Sequence, residues 1–262
     1  METYIRFSAE SGVATVTIDR ADKRNAVGYH GWLQMGRIAS DLAGRDDVRA
    51  VVFTGAGSEA FSAGADIKDF DRYRSNPENA REYAEAFEGA LDAIEALPQP
   101  TVCLIKGYCI GGGCEMSMAT DIRIAADNGK FAIPTAKLSV LVGYKEMRRL
   151  ANLVGPGNTS YILLSGRRFD ASEAMQMGLV NKVVPLNEID DFTYALAREM
   201  VDLAPLSARG HKQILQTVLA SPSLSGLTPE EEKLPFSNFA SEDFQEGRKA
   251  FLEKRQPHFK GR

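Results

Sequence analysis

A single carboxylate, Glu115, stands two residues beyond three consecutive glycines, Gly111 to Gly113, in the stretch "KGYCIGGGCEMSMATDIRIA" that begins at Lys106. Glycine inside an element costs roughly 0.5–1 kcal/mol against alanine, so a triplet serves a local purpose. Small residues let a ligand approach the main chain. A helix starting among them offers free N–H donors and the positive end of its dipole. A carboxylate in the first turn of that helix is placed for proton transfer. With a start near Gly112, positions 115, 118, 119 and 122 share a face that reads Glu, Met, Ala, Ile. That sets the carboxylate on an apolar stripe, where burial raises its pKa and the dipole lowers it. A first-turn glutamate that only satisfies the dipole fits the local residues equally well. Cys114 shares the helix start, where a thiol can be acidified into a nucleophile. No histidine is near it in sequence, and a buried structural cysteine is the better reading. Cys103, on an apolar strand, reads as core.

A second stretch, "VVFTGAGSEAFSAGAD" from Val51, repeats the design: a buried strand, then small residues through Ala65. Two such turns brought together offer two N–H groups to one oxygen. That is an oxyanion hole, worth roughly 3–4 kcal/mol per donor in a dry site. Taken singly, either turn is explained as well by close packing of helix on strand. A rival is the dinucleotide fingerprint, since "GAGSEA" from Gly55 matches G-x-G-x-x-A after a strand. The fingerprint needs a helix at once, and "SEAFSAGAD" shows no helical period. It also needs a second strand ending in an acid about 20 residues on, where "DFDRYRSNPEN" stands instead. The three histidines, His30, His211 and His258, are far apart, with no His-x-x-x-His spacing and no G-x-S-x-G elbow. Metallohydrolase and serine-hydrolase chemistry are therefore weakly supported.

The elements that must position these turns follow from periodicity. Tyr4–Phe7 and Val13–Ile18 read as strands joined by the turn "AESG", and "VRAVVFTG" and "TVCLIKG" as buried strands. Trp32, Met35, Ala39 and Leu42 recur at helical spacing, as do Phe87, Leu91 and Ile94 in a helix from Pro77 to Leu97. "DIRIAAD", "KFAIP" and "LVNKVVP" read as strands. Helices are expected over 145–153, 159–164, 171–177, 189–203, 206–219 and 242–254, and "ASPSLSGLTPEE" is the best hinge. The expected organisation is an α/β core, residues 1–200, followed by a helical region, residues 201–262. With 262 residues, 44% of them hydrophobic, the chain can bury a full core, and its net charge of −4 argues against nucleic acid as a partner. No apolar run approaches the roughly 18 residues of a membrane span, and "METYIRFSAESG" carries no apolar signal segment. Three cysteines within twelve residues match no CxxC pattern, so a reducing cytoplasm is the simplest compartment.

With "NAV", "FSAGADIKDF", "IKGYCIGGGCEMSMATDIRIAAD", "AMQMGLVNKVVP" and "FLEKRQPHF" in hand, the sequence resembles the enoyl-CoA hydratase/isomerase, or crotonase, family from about Ile5 to the C-terminus. The resemblance implies a spiral of ββα repeats with a C-terminal helical region that supports trimers, and hexamers built from them. It implies an acyl thioester of coenzyme A as substrate, with no permanently bound cofactor and no metal. The thioester oxygen would lie between the N–H groups of Ala65 and Gly112, with Glu115 as the catalytic carboxylate. Family contacts to coenzyme A fall on Lys23, Arg24 and Ala26, on Ala63 and the run Ala65, Asp66, Ile67 and Lys68, and on Phe251 and Lys254. The last two commonly reach a neighbouring subunit's ligand.

The sequence departs from the family at one catalytic position. Hydratases of this kind use two glutamates, and where the second follows a proline this chain has Thr135, which is a poor general base. The next segment is also altered, reading "LVGYKEMRRL"; Tyr144 and Glu146 lie in it as candidate substitutes facing the acyl group, although an ordinary first-turn helix residue is the better reading of Glu146. Three readings follow. One is an enoyl-CoA hydratase in which Glu115 works with water, Tyr144 or Glu146. The second is a one-base isomerase, or another lyase or decarboxylase acting on the enolate. The third is a catalytically weak acyl-CoA-binding protein.

Overall fold

The computed structural model describes residues 4–221 and 223–262. Residues 1–3, at the head of the segment tested for a signal, and Pro222, within the expected hinge, lie outside the described residues. The chain opens with a hairpin of β1 (Ile5–Glu10) and β2 (Val13–Ile18). Its turn is only Ser11 and Gly12, both with left-handed backbones. A two-residue turn of that hand matches the twist of the strands, so β1 runs three residues past the Phe7 limit expected from the residue pattern. Then come α1 (Tyr29–Ala43), β3 (Ala50–Gly55), β4 (Ala60–Ser62), the short α2 (Phe70–Tyr73) and α3 (Pro77–Glu95). The side chain of Asn76 accepts from Asn79 N–H at the start of α3, with Pro77 in its first turn.

From β3 onward the chain alternates between two sheets. β3, β5 (Thr101–Ile105) and β7 (Ile122–Ala126) enter a six-stranded sheet of order β1-β2-β3-β5-β7-β10, closed by β10 (Lys182–Val184). β4, β6 (Tyr108–Ile110) and β8 (Lys130–Ala132) enter a four-stranded sheet of order β4-β6-β8-β9, with β9 at Phe169–Asp170. Among the strands of the described residues, β1–β2 and β8–β9 pair antiparallel and the other pairs are parallel. Each turn of the chain thus adds one strand to each sheet, which is the ββα spiral. The large sheet is buried on both faces. Val51, Phe53, Cys103 and Ile105 join one apolar cluster with Trp32 and Met35 of α1 and Leu91 and Ile94 of α3. Their neighbours Ala50, Val52, Val102 and Leu104 join a second cluster under Ile189 and Ala197 of α7 (Ile189–Val201). Burial of both faces explains why these strands read as continuous apolar runs.

The functional helix α4 (Gly112–Met118) follows β6 directly, and all seven of its residues are buried. The expected single face of Glu115, Met118, Ala119 and Ile122 is therefore corrected. The helix stops at Met118, Ile122 already belongs to β7, and apolar surroundings enclose the helix on every side. Between β8 and β9 lies α5 (Tyr144–Ser165), two helices in series. They are broken at Gly155 (φ 73°, ψ 167°) ahead of Pro156, the break expected between 153 and 159. α6 (Ala171–Gln176) opens with a capping box of Asp170 and Glu173.

The C-terminal region is helical: α8 (Pro205–Ala220), α9 (Pro229–Lys233), a 3₁₀ turn over Leu234–Ala240, and α10 (Glu242–Glu253). Part of the expected hinge is ordered as α9, because Thr228 and Glu231 form a capping box. α8, α9 and the 3₁₀ turn bury no residue, and α10 buries only Asp243 and Ala250.

α4 is seated by Gly113. A Cβ there would lie 2.6 Å from Ser62 Cβ and 2.7 Å from the Ser62 carbonyl oxygen on β4. Because a backbone atom cannot give way like a side-chain tip, Gly113→Ala should destabilise the protein by about 1–3 kcal/mol. Urea denaturation checks this, and a wild-type midpoint would show that α4 is free to move off β4.

Candidate active site

The loop before α1 and the strand β4 are clamped together by Asn25, which is buried with a left-handed backbone (φ 56°). Its Nδ2 donates to the carbonyls of Ala60 (2.7 Å) and Ala56 (3.0 Å), and its Oδ1 accepts from Arg20 N–H (3.0 Å). Ser62 Oγ donates to the Asn25 carbonyl (2.8 Å) and accepts from Gly64 N–H (3.1 Å). Val27 N–H donates to Gly64 O, and Asp66 N–H to Val27 O. Arg20 Nη1 ties the far side to Asp66 (2.7 Å) and to the Ala26 carbonyl (3.2 Å). Every N–H from Gly64 to Asp66 is thus engaged except that of Ala65, for which no acceptor is found among the described residues.

The second turn meets the first at Gly64. A Cβ on Gly64 (φ +88°) would lie 2.5 Å from Ile110 O and 3.0 Å from Gly112 N, and a Cβ on Gly112 would lie 3.6 Å from Ala65 N. The N–H groups of Ala65 and Gly112 are therefore neighbours, although 47 residues separate them in the chain. As the first residue of α4, Gly112 has no intrahelical acceptor. The three glycines have three separate reasons. Gly111 takes φ +52° while its N–H donates to Ala132 O (2.8 Å). Gly112 leaves no side chain in a space where a Cβ would already lie 3.3 Å from Trp32 and 3.4 Å from Phe87, and Gly113 permits contact with β4.

Both donors open on a cavity of about 490 Å³ lined by Trp32, Tyr83, Phe87, Arg74, Glu88, Glu115, Thr135 and Glu146, among others. Trp32 Nε1 donates to Tyr83 Oη (2.9 Å) and its ring meets Phe87 edge-on, which fixes the wall. Glu115 is 7% exposed. Burial pushes its pKa up to about 7, with a further rise from the charge of Glu146 and an opposing pull from Arg74. A carboxyl poised near neutrality can both take and give a proton.

The family model for enoyl-CoA hydratase/isomerase matches residues 8–262. The chain belongs to that family. It is 34% identical over 94% of its length to a protein named probable enoyl-CoA hydratase in Mycobacterium tuberculosis, with 94% of that protein covered. It is 32% identical, with 94% of both chains covered, to a short-chain-enoyl-CoA hydratase of Clostridium acetobutylicum. A solved structure from Magnetospirillum magneticum, described as an enoyl-CoA hydratase/carnithine racemase, superimposes with a TM-score of 0.95 at 34% identity. It covers all of this chain and 97% of the other. The fold is the crotonase type, and the family is one of enzymes.

Of the residues singled out from the family's pattern, Ala63, Ala65, Ile67, Gly112, Glu115, Thr135 and Glu146 line the cavity. Lys23, Arg24 and Ala26 lie on the Asn25 loop. Arg24 is exposed, pairs with Glu59 (2.6 Å) and stacks over Tyr108. Asp66 is committed to Arg20 and to Lys68 N–H, and these bonds hold its carboxyl below the usual range against the opposing effect of burial. Lys68 is exposed. Phe251 and Lys254 lie at the end of α10, outside the cavity wall, with Phe251 84% exposed. Tyr144, the other candidate substitute base, is the first residue of α5; it is 97% exposed and is not among the residues lining the cavity. Cys114 is fully buried, and the neighbouring Cys109 thiol together with burial raises its pKa well above the ordinary value, in keeping with a structural cysteine. The dinucleotide reading also falls, because β3 leads into β4 and not into a helix. Asn25, Arg20, Tyr83 and Arg74 were not picked out from the sequence as site residues. Only the motif "NAV" pointed toward Asn25.

The raised pKa of Glu115 has a sign for stability. The folded protein holds its proton up to about pH 7, whereas an unfolded glutamate releases it near 4.3. The folded state binds more protons between these values, so stability falls as pH rises through that window. Glu115→Gln removes the penalty, of order 3 kcal/mol once both states are ionised. The melting temperature of Glu115→Gln should therefore exceed that of the wild type at pH 8 and converge with it near pH 4. A pH-independent difference would contradict the buried assignment.

Proposed function

We propose that this chain acts on acyl thioesters of coenzyme A, holding the thioester oxygen on the N–H groups of Ala65 and Gly112 and moving a proton with Glu115. Hydration of a 2-enoyl thioester is the reaction best supported. One observation carries the reading: backbone N–H groups from two separate turns abut at a cavity that also holds the buried Glu115, whose pKa burial pushes up to about 7. Donors fixed in advance at the oxygen stabilise the enolate without reorganisation. Lys23 and Arg24 on the adjoining loop, with Ala26, Ala63 and the run through Lys68, supply the coenzyme A surface. Phe251 and Lys254 complete it from a neighbouring subunit.

A homotrimer, alone or doubled into a hexamer, is the assembly proposed. Residues 201–262 would form the contact, since Leu203, Leu215, Phe236, Phe239, Phe251 and Leu252 are all more than half exposed in the single chain. The three free, buried cysteines suit a cytoplasmic location. Thr135 on the cavity wall favours a second reading, a one-base enoyl-CoA isomerase or enolate lyase, because threonine there cannot ionise.

Loss of the conjugated-thioester absorbance of crotonyl-CoA tests hydration directly, and a 3-enoyl-CoA tests isomerisation. Gly112→Val sets a branched side chain where a Cβ already lies 3.3 Å from Trp32 and 3.4 Å from Phe87; it should block approach of the thioester to the two donors and cut turnover about 10²-fold or more. Glu115→Gln should cut it about 10²–10⁴-fold while ligand binding survives. Binding without turnover of either ester by the wild type would instead mark an acyl-CoA-binding protein. Full activity in a folded Glu115→Gln protein would overturn the catalytic assignment.

A further inference from the structure

Thr135 leaves its part of the wall without an ionisable group, yet the cavity does not lack a second carboxylate. Glu146 lines it too, from the first turn of α5, and is only 2% exposed. We propose that Glu146 is the second catalytic carboxylate, delivered from α5 and not from the segment after β8, and that it works across the shared cavity as the acid–base partner of Glu115. This rests on the hydration reading above.

Three features support a catalytic role over a purely structural one. First, Gly143 makes room for it. A Cβ there would collide with Glu146 Oε2 and come 3.2 Å from Glu88 Oε1, so the residue before the helix must be small for the carboxylate to fold back. Second, its cation is already committed. Arg149 binds Asp92 (2.6 Å) and Glu95 (2.7 Å) of α3 closely, and reaches Glu146 only at 3.5 Å. Lys145 is likewise taken by Asp92 (2.6 Å) and Glu88 (3.6 Å). A glutamate placed to form an ion pair would hold the short contact itself. Third, the surroundings favour the protonated form. Glu146 is faced by Glu88 and Asp92 from α3, Glu115 from α4, and Lys145 and Arg149 from its own helix. Burial and the neighbouring carboxylates outweigh Arg149 and its own backbone N–H, and its pKa is raised. The charge of Glu146 in turn raises that of Glu115. Burial and like charges around both groups favour a state in which one of the two carboxyls is protonated and the other ionised.

That state is what hydration consumes. The ionised carboxylate takes a proton from water as the water oxygen bonds to Cβ. The π pair of the C=C bond moves toward Cα and the thioester oxygen. The protonated carboxyl then gives its proton to Cα, so one carboxyl gains a proton and the other loses one. The starting state returns when the proton passes back between them.

The test is hydration of crotonyl-CoA by Glu146→Gln, Glu146→Asp and the double variant Thr135→Glu/Glu146→Gln, with melting temperatures as the check on folding. Glu146→Gln should lose about 10²-fold or more in kcat with KM little changed. Exchange of a Cα proton of the saturated ester butyryl-CoA with deuterated solvent, an enolate step that one carboxylate can support, should be kept. The pH at which Glu115 titrates in the kcat profile should fall, since a neighbouring charge is gone. Glu146→Asp should keep part of the rate, and the double variant should regain much of it, because position 135 faces the same cavity. Undiminished kcat in Glu146→Gln overturns the assignment and leaves the proposed function standing. A rise in KM with kcat and pH profile unchanged also overturns it, as that marks a packing role. Absence of hydration in the wild type overturns the hydration reading, and this pairing with it.

Discussion

The site depends on the approach of two backbone turns at Gly64 and Gly112. No side chain fits between them: a Cβ on Gly64 would stand 3.0 Å from Gly112 N and closer still to Ile110 O. Around this contact the molecule is built to hold position. Asn25 and Ser62 hold the first turn with hydrogen bonds to Ala60, to the Asn25 carbonyl and from Gly64 N–H, next to Ala65. β6 and β8 lock the second through Gly111 N–H and Ala132 O. The spiral makes the contact available, because β3–β4 and β5–β6 are successive turns whose strands lie side by side in both sheets. The parallel pairing therefore carries the small-residue segments that follow β4 and β6 to the same edge.

Burial then gives the surrounding charges their effect. On the surface a glutamate with a distant neighbour would titrate near its ordinary value. Glu115, inside an all-buried helix and walled by Trp32 and Phe87, does not. The charges of α3 and α5 are arranged so that most cancel locally. Arg149 and Lys145 are taken up by Asp92, Glu95 and Glu88. The cavity itself keeps Glu115, Glu146, which Arg149 reaches only at 3.5 Å, and Arg74, whose guanidinium rests over Tyr83 (4.1 Å) and Phe70 (4.7 Å). Low-dielectric surroundings make these few charges count for more than the many on the surface.

Much of the fold was legible before any coordinates. The runs at 50–55 and 101–105 are apolar on consecutive residues because both sheet faces are covered, and α1 and α3 carry helical spacing because each buries one stripe. Gly155-Pro156 broke the long helix where expected, since that pair cannot continue an α-helix. The strands β4 and β6 were not legible: each has three residues, sits among glycines and serines, and owes its conformation to pairing partners far along the chain. The length of α4 was misjudged for a related reason. Apolar spacing says where a buried face lies, but it cannot say that every face is buried or that the helix ends after two turns.

The same division runs through the site. The residue types are a property of the sequence alone: two small-residue turns each behind a buried strand, a carboxylate just past the second, and threonine at 135. They bounded the chemistry to backbone donors plus proton transfer, because nothing else in the chain is spaced to do more. Tertiary structure decided which groups meet. It brought Ala65 N–H beside Gly112 N–H, turned Tyr144 out to solvent while Glu146, two residues later on the same helix, turned in, and raised Glu115 toward neutrality. Those outcomes depend on distances between elements and on exclusion of water, and neither is encoded in local spacing.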